Sequence, residues 1–318
     1  MRPTVLLSEP IHEAGVARLE AEAQIQVLQE ASSEALARAI TGADAVIVRL
    51  VPVTAEVIAA GQRLRVIGRH GAGLDNVDLP AATRRRIPVV YVPQANSISV
   101  AEHAIGMMVA LSKHLFDLDQ AVRTGEWQRR QVIVGMELEG KTLGVVGLGA
   151  IGRLVAEKGR AAFHMRVLGY DPYVSALPAG VERADTLAAV LREADFITVH
   201  VPLAAETRGL IGRHQLAMCK PTAYLVNTSR GEVVDTIALA EALRAGRLGG
   251  SGVDVFPVEP PPSDHPLLHA PRTMFSPHAA SHTEESLQRM AVSVAEDVLL
   301  VLRSERPRHV GNPEVFTK

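Results

Sequence analysis

The chain holds a single cysteine, Cys219, among 318 residues, so it can form neither an intrachain disulfide nor a cysteine-rich metal cluster. That scarcity fits a reducing compartment; the expected location is the cytoplasm, and no metal site is expected. Charge of one sign is also missing: 33 Lys and Arg stand against 35 Asp and Glu, interspersed, for a formal net charge of −2. Without the basic field that neutralises phosphates, no nucleic-acid partner is expected. Long hydrophobic runs are absent too: the longest, 104–111, falls far short of the roughly 20 residues that cross a bilayer. The N-terminal apolar stretch, Val5-Leu6-Leu7, is too short for a signal-peptide core, and no membrane partner is expected. Nothing repeats at the period of solenoids, and no tract is of low complexity.

What is present is the composition of a folded protein, 47% hydrophobic and 21% charged, at a length that suits two α/β domains. Short β-branched runs recur at 4–7, 45–48, 65–67, 89–92, 143–146, 167–170, 196–201, 223–226, 251–255 and 273–275, with helical stretches between them. This alternation reads as βαβ units, and apolar runs without strict alternation read as parallel strands covered on both faces. A helix is predicted over 100–123, capped by Ser97 or Ser99. A second, over 284–303, places Leu287, Met290, Val294, Val298 and Leu302 on one face and is expected to return to the first domain. Pro260, Pro261 and Pro262 predict a rigid loop after a strand ending near Phe256.

Gly147-Leu148-Gly149-Ala150-Ile151-Gly152 follows one of these strands and opens an amphipathic helical stretch. The first glycine permits a tight turn, the second lets backbone approach a pyrophosphate, and the third permits close helix packing. The helix N-terminus then offers unpaired N–H groups to the phosphates. Asp171 ends the next strand, 19 positions after Gly152, where a carboxylate binds the ribose hydroxyls of the adenosine. The same charge repels a 2′-phosphate, and Pro172 and Tyr173 supply no cation, so NAD is expected rather than NADP.

Three further segments follow strands: Asn227-Thr228-Ser229-Arg230-Gly231, then Asp254 to Glu259-Pro260, then Pro277-His278-Ala279-Ala280-Ser281. Ligands of open parallel sheets bind beyond the carboxyl ends of the strands, so Arg230, Glu259 and His278 are the catalytic candidates. Earlier, Arg69-His70-Gly71-Ala72-Gly73 carries two glycines whose N–H groups suit a substrate carboxylate; Asn96 and Ser97 are further substrate-binding candidates.

Together these segments resemble the signature set of the D-isomer-specific 2-hydroxyacid dehydrogenases, across nearly the whole chain, with the 3-phosphoglycerate dehydrogenase and hydroxypyruvate reductase branches nearest. The resemblance implies two doubly wound parallel-sheet domains: a Rossmann NAD domain (99–287) inserted in a flavodoxin-like substrate domain (1–98 and 288–318), usually as a homodimer. It implies hydride transfer between NADH and a 2-oxo or D-2-hydroxy acid. By the resemblance His278 is the general acid-base, Glu259 stabilises its imidazolium, and Arg230 binds the substrate carboxylate. Asp254 resembles the position that binds the nicotinamide carboxamide, and Val201, Thr228, Ser229, Arg230, His278 and Ser281 fall where the family lines the cofactor. Ser281 stands where the family often has glycine. Trp127, Arg129 and Arg130 resemble the family's dimer arm, from which arginines can reach a phosphorylated substrate. Two other functions share this pattern: formate and phosphite dehydrogenases, and the C-terminal-binding corepressors, which use NAD to dimerise.

Overall fold

The β-branched runs assemble into two all-parallel sheets in a computed structural model that describes residues 2–317. The first sheet contains β1 (Thr4–Leu7), β2 (Gln24–Val27), β3 (Ala45–Val48), β4 (Val66–Arg69) and β5 (Val89–Val90), in the order β2-β1-β3-β4-β5. The second contains β6 (Thr142–Val146), β7 (Arg166–Tyr170), β8 (Val181–Arg183), β9 (Phe196–Val199), β10 (Tyr224–Asn227), β11 (Gly250–Val253) and β12 (Thr273–Phe275). Its order is β12-β11-β10-β9-β6-β7-β8. The first is the flavodoxin order; the second is the dinucleotide-binding order with one added strand. The chain divides into two units, one running through Asn96 and resuming at His282, the other Ser97–Ser281. No described helix is long and apolar enough to cross a membrane.

Each sheet is apolar on both faces, as parallel strands require. In β1, Val5 and Leu7 pack with the helix Glu284–Leu302, while Leu6 packs on the opposite face with the helices Ser33–Ala39 and Ala55–Ala60. Gly68 on β4 lets the C-terminal helix approach: a Cβ there would lie 2.8 Å from Val298 and 3.0 Å from Val294. The helix thus returns to the first sheet, as its apolar face predicts.

The two units repeat one anchoring device. Asp44, just before β3, accepts from the Thr4 N–H at 2.8 Å at the start of β1 and pairs with Arg63 at 2.9 Å. Asp195, just before β9, accepts from the Thr142 N–H at 2.9 Å at the start of β6 and pairs with Lys220 at 2.8 Å. Burial pushes the Asp195 carboxyl up, and the hydrogen bonds from Lys220 and Thr142 outweigh it, leaving it below its ordinary value.

Three expectations need correction. The strands β2 and β8 lay outside the predicted set; both are polar edge strands (Gln-Ile-Gln-Val and Val-Glu-Arg), without the apolar run of a central strand. The helix predicted over 100–123 is two, Ser97–Ser112 and Leu115–Arg123, broken where His114 takes a left-handed backbone (φ 53°). Neither Ser97 nor Ser99 caps it from outside, because the helix begins at Ser97; Ser99 lies within it and donates to the Ala280 carbonyl at 2.9 Å.

The helices Glu13–Glu20 and Glu284–Leu302 meet where Gly15 faces Ala291, and a Cβ on Gly15 would come within 2.8 Å of the Ala291 backbone. Gly15→Ala is therefore expected to destabilise the first unit by about 1–3 kcal/mol, the usual penalty of overpacking, read as a lowered melting temperature.

Candidate functional site

In the second unit the glycine-rich segment turns from β6 into the helix Ala150–Phe163, whose N-terminus has no side-chain cap. Gly147 sits at φ 90°, and a Cβ there would lie 2.6 Å from the His200 carbonyl and 2.9 Å from Val201. A Cβ on Gly152 would lie 2.0 Å from the Gly147 carbonyl, so the turn and the helix can close only on glycine. A Cβ on Gly149 would meet nothing within 4 Å: that face of the turn is open. Ala150 is exposed and Ile151 half-buried at the helix start. The open face, the uncapped N–H groups and the buried, unpartnered Thr228 Oγ1 fit a dinucleotide.

Asp171 closes the same turn. Its Oδ2 accepts from the Leu148 N–H at 2.8 Å and its Oδ1 from the Tyr173 N–H at 2.9 Å, which orients the carboxylate at the end of β7. Arg153, which sequence reasoning missed, reaches from the helix to the Leu148 and Ala176 carbonyls at 2.8 and 3.0 Å. It braces the loop after Asp171, spending donors on backbone.

The three catalytic candidates follow β10, β11 and β12. Asn227 folds the segment after β10: its Oδ1 accepts from the Ser229 N–H (3.0 Å) and hydroxyl (2.7 Å), and its amide donates to the Arg230 carbonyl at 2.9 Å. Arg230 Nη1 donates to the Ser229 carbonyl at 2.7 Å, anchoring the guanidinium. The next residue must be glycine, because a Cβ on Gly231 would lie 2.0 Å from the Phe256 carbonyl carbon.

Glu259 and His278 are brought together: Glu259 Oε2 lies 2.7 Å from His278 Nδ1, with the side chains 35% and 32% exposed. Glu259 Oε1 accepts from the Phe256 N–H at 2.9 Å. Burial pushes the Glu259 carboxyl up; the hydrogen bonds from His278 and Phe256 and the nearby Arg230 charge outweigh it and hold the group below the usual carboxylate range. An ionised carboxylate only accepts, so Nδ1 carries the shared proton and Nε2 is the ring nitrogen not engaged by Glu259.

Asp254, 1% exposed, turns its carboxylate onto the His278 segment. Its Oδ1 accepts from the Ser276 hydroxyl (2.5 Å) and the Ala279 N–H (2.8 Å), its Oδ2 from the Ala280 N–H (3.1 Å). Its carbonyl accepts from the His278 N–H at 2.8 Å. Ser276 in turn lies 2.8 Å from Nε2 of His103, on the helix Ser97–Ser112. Neither Ser276 nor His103 was a sequence candidate. Ser281 ends the segment half-buried.

The first unit holds the other substrate-loop candidates. Arg69, at the end of β4, donates from Nη1 to the His70 carbonyl at 2.9 Å and passes directly over Gly71, where any Cβ would lie 1.4 Å from Nη1. The Gly71 N–H turns back to the Arg69 carbonyl at 2.9 Å, and Gly71 supplies the room that the Arg69 guanidinium occupies. Ala72 and Gly73 continue this loop, half-buried. His70 is only 4% exposed; burial first, then the charges of Arg49 and Arg69, lower its pKa to about 3, which keeps the imidazole neutral. Its Nε2, like Asn96 Oδ1 and, in the second unit, Ser97 Oγ, is buried with no hydrogen-bond partner among the described residues. Arg49, unforeseen, lies 3.3 Å from Nε2 of His282, and Glu9 holds its loop through the N–H groups of Arg49, Leu50 and Val51. In the second unit, Trp127, Arg129 and Arg130 are exposed; Arg130 stacks 5.6 Å over the Trp127 ring and Arg129 pairs with Glu126 at 3.2 Å.

Residues 105–280 match the family model described as "D-isomer specific 2-hydroxyacid dehydrogenase, NAD binding domain". The D-3-phosphoglycerate dehydrogenase of Methanocaldococcus jannaschii is 42% identical over 97% of this chain and 59% of its own length; the chain thus spans about three fifths of that relative. The glyoxylate reductase of Korarchaeum cryptofilum is 37% identical over 99% of this chain and 97% of its own length. The crystal structure of a D-lactate dehydrogenase from Aquifex aeolicus, complexed with NAD and lactic acid, superimposes with a TM-score of 0.84 at 28% identity, covering 98% of this chain and 97% of that one. With more than half its length matched by the family model, and the dinucleotide turn and the His278–Glu259 pair inside that match, the chain belongs to the D-isomer-specific 2-hydroxyacid dehydrogenase family.

Proposed function

We propose that the protein is an NAD-dependent dehydrogenase that interconverts a 2-oxo acid and a D-2-hydroxy acid. The observation that carries this reading is the 2.7 Å pair between His278 Nδ1 and Glu259 Oε2, set in a family whose NAD-binding domain this chain contains. Bound NADH supplies the hydride to the carbonyl carbon, and everything else falls to the protein. Negative charge grows on the carbonyl oxygen as reduction proceeds, and a proton from His278 Nε2 neutralises it. Glu259 balances the positive charge of the ring before the proton leaves and holds its orientation. Arg230 offers a planar fork of donors that binds the acid's carboxylate and draws electrons from the neighbouring carbonyl. Arg69, Asn96 and Ser97 are proposed to bind substrate as well, in a substrate domain built from the two chain ends. The Asp171 carboxylate selects NAD over NADP by accepting from the ribose hydroxyls and repelling a 2′-phosphate.

Hydroxypyruvate, glyoxylate and 3-phosphohydroxypyruvate are the substrates to test first: the relatives named above are a D-3-phosphoglycerate dehydrogenase and a glyoxylate reductase, and hydroxypyruvate follows from the family resemblance. A homodimer is proposed too, because Leu115, Phe116, Val122, Trp127, Val132 and Val134 leave one stretch of the second unit rich in exposed apolar side chains.

Purified protein is expected to oxidise NADH with at least one of these acids and to prefer NADH to NADPH by about tenfold or more. Binding of NADH without turnover of any of them would overturn the dehydrogenase reading. His278→Gln is expected to lower kcat by about 100-fold or more while NADH affinity, followed by fluorescence, stays within about twofold. Because the folded Glu259 carboxyl titrates below its unfolded value of about 4.3, its contribution is complete above that value and is lost as pH falls through the lower folded value. The pH-rate profile is therefore expected to show no inflection from Glu259 above about pH 5, and Glu259→Gln to lower kcat/KM at every pH tested there. Light scattering is expected to give a mass of about twice 34.0 kDa.

A further inference from the structure

The segment that carries His278 is held from two sides, and one of them is a helix of which only the first residue, Ser97, has had a part in the chemistry described so far. Ser99 and His103 stand four residues apart on the helix Ser97–Ser112, so they share one face. Ser99 donates its hydroxyl to the Ala280 carbonyl at 2.9 Å, and His103 Nε2 lies 2.8 Å from the Ser276 hydroxyl. The two contacts bracket His278: one falls two residues before it and one two residues after. The helix can reach so far because β11 is thin at Gly252, where a Cβ would lie 2.9 Å from Met107 Sδ and 3.2 Å from Met107 Cβ.

The direction of the hydrogen bonds follows from the chemistry of the groups. The buried Asp254 carboxylate accepts only, so at 2.5 Å the Ser276 hydroxyl must give it the proton. That leaves the Ser276 oxygen as an acceptor, and His103 must donate to it from Nε2. His103 also lies 3.9 Å from Asp254 Oδ1, and Asp254 is the charged group facing it there. Without His103 the Ser276 hydroxyl keeps its bond to Asp254 but loses the donor that fixes its rotamer, so the side-chain anchor of the turn where His278 sits at φ 52° is loosened beside the two backbone donors.

We propose that His103 is a positioning residue: through Ser276 and Asp254 it sets the backbone of the turn that aims the His278 ring, with Ser99 fixing the other end. This rests on the acid-base role proposed for His278. His103 touches neither substrate nor reacting atoms, and its effect is exerted on kcat.

The test compares His103→Leu, which removes the donor, with His103→Gln, whose amide N–H can replace Nε2, and adds Ser276→Ala and the His103→Leu/Ser276→Ala double variant. His103→Leu is expected to lower kcat by about tenfold or more, with the KM for NADH and the melting temperature nearly unchanged, and His103→Gln to recover most of the loss. The double variant is expected to be no worse than the poorer single one, because both break the same chain of bonds. In NMR spectra of His103→Leu the ring resonances of His278 are expected to shift, a readout independent of turnover. Wild-type kcat in His103→Leu, equal losses in the Leu and Gln variants, or losses that multiply in the double variant would each overturn the proposal. If the ring resonances shift while His278→Gln itself retains full activity, it is the acid-base reading that has failed, and with it the effect on kcat.

Discussion

The arrangement of the segment that carries His278 depends on one buried charge. Asp254 is 1% exposed, and a carboxylate removed from water is tolerated only if its lone pairs are met by donors. Those donors come from the turn that carries His278: the Ser276 hydroxyl and the N–H groups of Ala279 and Ala280. The turn is thus fixed by the electrostatic need of a residue on the neighbouring strand end, and the imidazole travels with it. Family likeness implies that Asp254 binds the nicotinamide carboxamide; its carboxylate also holds the protein's own backbone. The residue it positions, His278, is the one proposed to exchange the proton.

The same physical device recurs wherever a loop must hold its place at a strand end. Glu9 gathers the N–H groups of Arg49, Leu50 and Val51; Asp171 gathers those of Leu148 and Tyr173; Asp297, fully buried, accepts from Arg308 and His309. Asp44 and Asp195 do it at equivalent places in the two sheets, each tying the strand it precedes to the start of the first strand of its unit. Hydrogen bonds from backbone N–H groups to an ionised acceptor are worth more than neutral ones, about 1.5–3 kcal/mol against about 1. Spending them at loops leaves the sheets to be stabilised by apolar burial.

This division explains what could be read in the residue order. Central strands are written as local apolar runs, because burial on both faces demands it, and all ten predicted runs coincide with strands within a few residues. Edge strands β2 and β8 need no such run and were invisible. The dinucleotide turn was legible because Gly147, Gly149 and Gly152 act on one another and on a strand close by. The link from His103 through Ser276 to Asp254 was not, since it joins a helix to two strand ends across 173 positions and no local pattern marks it. In the same way, Ser99 fits a cap by its type and place, and only the observed helix start shows that its hydroxyl serves Ala280 instead.

His278 shows how these levels combine. Its φ of 52° lies in the left-handed region, which costs a residue bearing a Cβ about 1–2 kcal/mol and which the flanking Pro277 and Ala279 do nothing to favour. Three hydrogen bonds to Asp254, each in the range for charged acceptors, exceed that cost. The strained conformation is therefore imposed from outside the segment and holds only while the Asp254 acceptors are filled. A ring placed by backbone torsion in this way keeps its Nδ1 toward Glu259. Small side chains at Ala279 and Ala280 suit that design, because their N–H groups approach a buried carboxylate that bulkier neighbours would crowd.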